Sequence, residues 1–439
     1  MNIISNRVRP IPTINRGNNS PTSKISVIDL PDEDSPGRSF TTSSTVNITL
    51  HNKPVDLQQE LVILYKWMMY FGIGCPVRLL KKTRLHLYRL YSTAVLALLW
   101  FNFLRSATGI MYIERDDFVA QVVISAWFLQ CALKATIWFC RDIKPSATED
   151  FFKHWKTICQ SQVSLQYGLG INQPKLQRSI RLTIAAIILL CIINTSIIFF
   201  ARVGPIEETR NETTHYYAPL PSDAQIPLMA LIPFETAVYF FPVAEFVLIS
   251  KVLTKQFENL RFVVTECLKK KGSLIELFLG NIRAEHQHLA KAVYIADKTF
   301  SLYLAIEYST TIAILTFLLY QLLIIHNQFS PFGYSMLVIW ASAVALVISI
   351  ISWFAAVMHE QAHEIVHFIH SVTVPSEPTG KYIMEMNMLL AKLNGTSIAF
   401  SVYTLLPITK AFILTIVGVM VTYFAIAAQS VEFIVETYT

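Results

Sequence analysis

Two overlapping histidine motifs near position 360 have the residue types and spacing of a zinc site. The segment MHEQAHEIVHFIH contains His-Glu-x-x-His twice, once from His359 to His363 and again from His363 to His367. Residues four positions apart share one face of a helix, so each histidine pair could bind zinc while its glutamate activates a metal-bound water. Peptide hydrolysis by a membrane zinc metalloprotease is therefore one function to consider.

A catalytic zinc ion also needs a third protein ligand, and the downstream candidates Glu377 and Glu385 stand in no recognisable motif. The same three histidines and His370 are spaced four, four and three residues apart, which would also suit a polar stripe on a cytosolic helix extension. Structural or regulatory metal binding is a third alternative. We favour the stripe, and we predict no catalytic residue, no resident metal and no cofactor.

The composition of the chain is that of a membrane protein with several spans. Apolar residues make up 53% of its 439 residues, charged residues make up 15%, and the mean hydropathy is +0.45. These values exclude an ordinary soluble surface, and we expect membrane lipid rather than nucleic acid as a partner. Seven stretches have the roughly 20 apolar residues that a spanning helix requires. They lie at about 90–113, 118–140, 182–203, 227–250, 304–326, 335–358 and 409–431.

The basic residues predict the orientation of these spans, because Lys and Arg accumulate on the cytoplasmic side of a membrane. With the N-terminus inside, the inner segments hold 25 of the 36 basic residues and the outer segments hold three. The C-terminus is then outside, and the sequon at Asn211, a candidate glycosylation site, falls in the longest outer loop. A G-protein-coupled receptor has the opposite orientation, and its Asp/Glu-Arg-Tyr and Asn-Pro-x-x-Tyr sequences do not occur in the third and seventh spans. That class and a transporter are the weaker alternatives.

The chain divides into three regions. Residues 1–55 are rich in Ser, Thr, Asn and Pro, which predicts a disordered cytosolic tail. Residues 56–430 form the membrane domain, and residues 431–439 form an extracellular tail. Inner segments between the later spans place apolar residues at helical spacing, so we expect the fourth, fifth, sixth and seventh helices to extend into the cytosol. The predicted fold is all-α, with seven transmembrane helices and a cytosolic helical anchor layer.

A short motif in the last span carries a family resemblance. Thr422, Tyr423, five apolar residues and Gln429 resemble the signature of the insect gustatory and odorant receptor superfamily. Residues 381–430 resemble the final region of that family, whereas residues 60–380 match in topology and spacing. Ser430 departs from the Phe that usually follows the glutamine, and nine more residues follow it. The long tail is more similar to the nematode gustatory-receptor-like branch, which includes light- and peroxide-sensing members.

The resemblance implies a stimulus-gated, non-selective cation channel in the plasma membrane of sensory neurons. Four subunits, identical or different, would place their seventh helices around a pore and join through their cytosolic helices. Helical spacing independently puts Thr422, Ile426, Gln429 and Phe433 on one stripe that is too polar to face lipid, with Ser430 about 100° from Gln429. The alternative is a single glutamine that is hydrogen-bonded to a neighbouring helix.

Two acidic residues follow the motif. Glu432 and Glu436 lie about 60° and 20° from the direction of Gln429, so in four subunits they would form rings of carboxylates at the outer mouth of the pore. Such rings concentrate cations. The alternative is a frayed, solvated helix end.

The resemblance also implies a ligand pocket that opens outward among the second to sixth helices. Aromatic residues at helical spacing more often pack than bind, but an ionisable residue inside a membrane is costly and marks a function or a paired structure. Arg105 and Lys134 are expected to pair with Glu245 or to extend towards the interface. The pocket candidates in the outer halves of the spans are Trp127, Phe199, Phe200, Glu235, Tyr239, Tyr320 and Trp340.

Overall fold

The computed structural model contains ten α-helices and one β-hairpin in the part of the chain that it describes. The described residues are 56–74, 82–112, 118–161, 164, 171–203, 228–270, 275–324, 330–370, 380–395 and 397–438. The helices are α1 (Leu57–Tyr70), α2 (Lys82–Gly109), α3 (Phe118–Ile143), α4 (Ser146–Cys159), α5 (Gln173–Val203), α6 (Ile232–Lys270), α7 (Ile275–Ile324), α8 (Pro331–His370), α9 (Gly380–Gly395) and α10 (Lys410–Tyr438). The strands β1 (Ser401–Val402) and β2 (Leu406–Pro407) are antiparallel. The predicted tail, residues 1–55, lies outside the described residues.

The helices confirm the predicted spans. Within the described residues, α2, α3, α5, α6, α7 and α8 are long and apolar enough to cross a membrane. The last predicted span corresponds to α10, whose apolar part runs from Lys410 to Ile426. An all-α membrane fold is therefore confirmed, apart from the two-residue strands of the hairpin.

Three helices are much longer than a bilayer is thick. The helices α6, α7 and α8 contain 39, 50 and 40 residues. At 1.5 Å per residue they measure roughly 60–75 Å, about twice the 30 Å of bilayer hydrocarbon. The prediction that the fourth, fifth and sixth helices continue beyond the membrane is therefore confirmed.

The same prediction was wrong for the seventh helix. The segment before it forms a separate helix, α9, and the β-hairpin stands between α9 and α10. Tyr403 and Thr404 in the hairpin turn have positive φ angles of 51° and 59°, which a right-handed helix does not allow. Pro407 also lacks the backbone N–H that an uninterrupted helix would use.

Helix α6 is the centre of the bundle and packs against α3, α5, α7 and α8. Between Ile232 and Ser250 none of its residues is exposed, and the sequence there is mostly apolar because neighbouring helices enclose it. Ala237, Val238, Phe241 and Phe246 are all fully buried. The charged residues within this helix must therefore find partners on its neighbours.

Two short amphipathic helices, α1 and α4, pack beside the bundle. Asp56 caps α1 by accepting hydrogen bonds from the backbone N–H groups of the second and third helical residues. Helix α4 packs on α7 and buries Phe151, Trp155 and Ile158. Sequence analysis missed both helices, because their 14 residues are too short to register as spans.

The β-hairpin fixes the start of the last helix to α7. The two carboxylate oxygens of Asp297 accept hydrogen bonds from the backbone N–H and the hydroxyl of Ser401, at 2.6 and 2.7 Å. Phe400 is fully buried, with its ring centroid 4.8 Å from that of Phe246 and 6.4 Å from that of Phe300. We refer to Asp297, Phe400 and Ser401 as the hairpin clamp.

Candidate functional site

A cavity of about 140 Å³ lies among the helices α3, α5, α6, α7 and α8. Its walls come mainly from aliphatic side chains and from four large aromatic ones. Trp127, Tyr239, Phe240 and Trp340 all line it. None of the described residues that line the cavity carries a charge.

The structure brings together three of the predicted pocket residues and separates the rest. Trp127, Tyr239 and Trp340 line the cavity. Phe199 and Phe200 do not, and their side chains are 47% and 70% exposed on the outside of the bundle. Tyr320 is half-buried elsewhere on α7. Sequence analysis missed the contribution of α5, which comes from small and aliphatic residues around Asn194, because an aliphatic wall has no pattern that separates it from ordinary packing.

Glu235 lies beside the cavity rather than in its wall. Its carboxylate accepts a hydrogen bond from the Asn102 side-chain amide, and the oxygen of that amide accepts two from the Arg105 guanidinium, at 3.0 and 2.7 Å. All three side chains are buried. The group therefore links α2 to α6.

Below the cavity, Lys134 forms a fully buried ion pair with Glu307, with 2.5 Å between the ammonium nitrogen and the carboxylate oxygen. This pair connects α3 to α7. The same ammonium lies 3.9 Å from the centroid of the Tyr239 ring, a cation–π contact. Tyr239 therefore contacts the cavity and the ion pair.

The expected pairing of Arg105 or Lys134 with Glu245 was wrong. Glu245 is fully buried and forms an ion pair with Arg141 instead. It also accepts hydrogen bonds from the Tyr65 hydroxyl at 3.0 Å and from the Trp138 indole at 2.9 Å. The sequence could not resolve these partners, since Glu307 and Arg141 lie on helices whose rotation becomes known only from the structure.

Helix α10 is packed quite differently from α6. All its residues from Ala411 to Ile426 are described, and none is buried. A groove of about 480 Å³ separates it from α7 and α8. Ile413, Met420 and Phe424 face this groove.

The predicted pore stripe lies on the opposite side of α10. At 100° per residue, Thr422, Ile426 and Gln429 point roughly 180° away from Met420 and Phe424. All three stripe side chains are exposed, and the Thr422 hydroxyl bonds only to its own helix, at the Gly418 carbonyl. Ser430, Glu432, Phe433 and Glu436 continue the helix, and their side chains lie outside the described residues.

The sequence matches the family described as 7tm chemosensory receptor over residues 61–432. That match covers nearly the whole membrane domain and includes the motif in α10. The chain belongs to the 7tm chemosensory receptor family. The predicted superfamily is therefore confirmed, and the chain is a multi-pass membrane receptor rather than an enzyme.

Solved structures agree with this family in their fold. The receptor is similar to the olfactory receptor OR5 of the insect Machilis hrabei, with a TM-score of 0.61 and 15% sequence identity, over 86% of this chain and 99% of that one. The structure of OR5 in complex with eugenol gives a TM-score of 0.62 over the same shares of the two chains, also at 15% identity. A search of curated proteins gives no match.

In this receptor the histidine motifs sit where helices meet. His359 and His363 have ring centroids 4.4 Å apart, and the Nδ1 atoms of these rings hydrogen-bond to the carbonyls of Ile398 and His359, at 3.2 and 2.9 Å. Within the described residues, no group of three or more metal-ligating side chains is arranged to hold a metal ion. His367 is exposed near the end of α8.

The two glutamates of the motif are ion-paired to other helices. Glu360 pairs with Lys410 at the start of α10, at 2.8 Å, and Glu364 pairs with Arg261 on α6. A glutamate that activates water would have to face a metal between the histidines. The contacts of Glu360 and Glu364 favour the interpretation of a polar stripe, which here joins α8 to α6 and α10.

Proposed function

We propose that this receptor is a stimulus-gated, non-selective cation channel, in which the α10 helices of four subunits line a central pore. The observation that carries the proposal is the exposure of α10 along the whole of its described apolar length. A spanning helix with polar groups on one face needs other protein or water beside that face, because lipid cannot satisfy them. Copies of α10 around a water-filled path meet that need.

The two faces of α10 support this arrangement. The groove face, with Met420 and Phe424, is apolar and turns towards the receptor's own bundle. The stripe with Thr422, Ile426 and Gln429 turns away from it. In our proposal this stripe faces the ion path, with Phe433 one turn farther along and Ser430 beside it.

The proposal also includes the orientation of the chain in the membrane and the residues at the outer mouth of the pore. The excess of basic residues in the segments that we assign to the cytosol supports an inside N-terminus, an outside C-terminus and glycosylation of Asn211. Glu432 and Glu436 then stand at the outer mouth, where carboxylates favour cation entry. Staining of a C-terminal tag in unpermeabilised cells tests this orientation, and staining that appears only after permeabilisation would overturn it.

The location we propose is the plasma membrane of sensory neurons. A cavity among five helices supports a chemical stimulus over light or peroxide, since a cavity is the feature by which a protein recognises a small molecule. The ion pair and the hairpin clamp lie along α7 between this cavity and α10, and so provide a physical connection between stimulus and pore.

Cysteine accessibility tests the pore assignment. Thr422→Cys should be modified by a positively charged, membrane-impermeant thiol reagent, and modification should block the current evoked by the stimulus. Phe424→Cys is the matched control, because it lies on the same helix and faces the groove. Equal block of both variants, or of neither, would contradict the assignment.

A further inference from the structure

The size of the cavity limits its occupant to about one ring. Its volume is about 140 Å³. A cavity of about 150 Å³ in another protein, lined by aliphatic and aromatic side chains, holds one benzene molecule. A compound with several rings or a long chain would extend out of the cavity past Leu190, Ile193 and Ile339, whose side chains are partly exposed.

The lining also limits the charge and polarity of the occupant. The described lining residues include no Asp, Glu, Lys, Arg or His, and the nearby Lys134 is already paired with Glu307. An ion placed here would lose its hydration without gaining a counter-charge. A sugar would lose hydrogen bonds at most of its hydroxyl groups, and each such loss is unfavourable.

Among the polar side chains of the lining, the Tyr239 hydroxyl differs from the others in its hydrogen bonding. Asn194 donates to the Thr236 hydroxyl at 2.9 Å, and Thr236 in turn donates to the Ile232 carbonyl at 2.8 Å, so this wall satisfies itself. The hydroxyl of Tyr239 is buried and has no hydrogen-bond partner among the residues that the structure describes. The side chain of Tyr239 is 3% exposed, and Lys134 contacts the face of its ring rather than its hydroxyl.

We infer that the cavity binds an uncharged compound about the size of one six-membered ring, with a single hydrogen-bond acceptor, and that the Tyr239 hydroxyl recognises the acceptor. Trp127, Phe240 and Trp340 supply the apolar walls. A buried hydroxyl without a partner is unfavourable, and an acceptor on the ligand removes that penalty while an apolar ligand leaves it. The inference rests on the proposed function, because it takes this cavity as the stimulus site.

Binding to the purified receptor in lipid nanodiscs tests the inference with ring compounds of one size. The probes are cyclohexanone, which has one acceptor; methylenecyclohexane, which has the same shape and none; cyclohexylammonium, which is charged; and inositol, which has six hydroxyls. Saturable binding, measured by calorimetry against empty nanodiscs, should be about tenfold tighter for cyclohexanone than for methylenecyclohexane. Cyclohexylammonium and inositol should not bind.

Variants assign the preference to one atom. Tyr239→Phe should bring cyclohexanone to the affinity of methylenecyclohexane and leave methylenecyclohexane unchanged. Tyr303→Phe is the matched control, since Tyr303 is also a fully buried tyrosine near Lys134 but does not line the cavity. Ala343→Trp should abolish binding by filling the cavity, whereas Ala345→Trp, which faces the groove beside α10, should not.

Several results would overturn the inference. These are a cyclohexanone preference that survives Tyr239→Phe, binding of inositol or cyclohexylammonium at the affinity of cyclohexanone, or no saturable binding by either uncharged ring. The measurement does not depend on ion flow. If the receptor binds these compounds as predicted but conducts no current, the channel proposal is contradicted. The inference about the ligand class is still supported in that case.

Discussion

Single residues in the membrane part of this receptor carry charges that a bilayer would reject unless they were paired. Lys134 and Glu307 pair with each other, and Glu245 pairs with Arg141. Each pair joins two helices, so the charges hold neighbouring spans in register. The sequence identified Lys134, Glu235 and Glu245 as residues that need partners, but the spacing along the chain did not identify those partners.

The Lys134–Glu307 pair gives a prediction at this scale. Lys134→Met should lower the free energy of unfolding by about 3–5 kcal/mol, because it leaves the Glu307 carboxylate buried without its cation. The double variant Lys134→Met/Glu307→Met should recover most of the loss, since two apolar side chains need no partner. Thermal unfolding of the detergent-solubilised receptor measures both. A double variant as unstable as the single one would contradict this account.

At the scale of elements, the hairpin clamp controls where α10 begins. Asp297 binds Ser401 through both carboxylate oxygens, and Phe400 is locked between aromatic rings. Helical periodicity predicted that the seventh helix extends into the segment before it, and did not predict the hairpin. Periodicity does not register a turn in which Tyr403 and Thr404 adopt left-handed backbone angles, because neither residue type signals such a turn as glycine would.

Loss of the clamp should change gating without changing ligand binding. Asp297→Ala removes two hydrogen bonds that hold the segment before α10 against α7, so we expect a several-fold rise in current without stimulus. Affinity for cyclohexanone should stay within about twofold. The control is Lys298→Ala, an exposed neighbour on the same helix. An unchanged basal current in well-expressed Asp297→Ala channels would rule out this role.

The docking of α4 on α7 should weaken in acid. His154 on α4 hydrogen-bonds to the His288 carbonyl at 2.9 Å, and burial lowers the pKa of His154 below its ordinary value of about 6.5. The unfolded chain then binds a proton more readily than the folded receptor does, so stability falls as the pH drops below about 6.5. His154→Gln should reduce the fall in melting temperature between about pH 7 and pH 5, whereas the exposed control His86→Gln should not. An identical pH dependence in all three proteins would contradict this assignment.

At the scale of the whole molecule, the sequence predicted the architecture well. Seven apolar stretches predicted the seven long helices, because a bilayer imposes a fixed length of apolar residues on each span. The motif from Thr422 to Gln429 indicated the family. The cavity was predictable only in part. Trp127, Tyr239 and Trp340 stand out as aromatic residues and line it. Phe199 and Phe200 stand out equally but face outward, so residue type alone does not separate lining residues from the others.

The last helix of the single subunit is packed less tightly than the central one. No residue of α6 from Ile232 to Ser250 is exposed, whereas every described side chain of α10 from Ala411 to Ile426 is exposed or only partly buried. In the proposed channel, copies of the receptor surround the exposed stripe of α10 and complete its packing. The central claim is therefore that ions pass along the Gln429 stripe.

The reversal potential of channels altered at Gln429 tests that claim most directly. In asymmetric sodium chloride, Gln429→Glu should shift the reversal potential towards that of sodium, and Gln429→Arg should shift it towards that of chloride, because four charges at a narrow pore change its preference for ions. The two variants should move in opposite directions from the wild type. Reversal potentials and unitary currents of both variants that match the wild type would contradict the account.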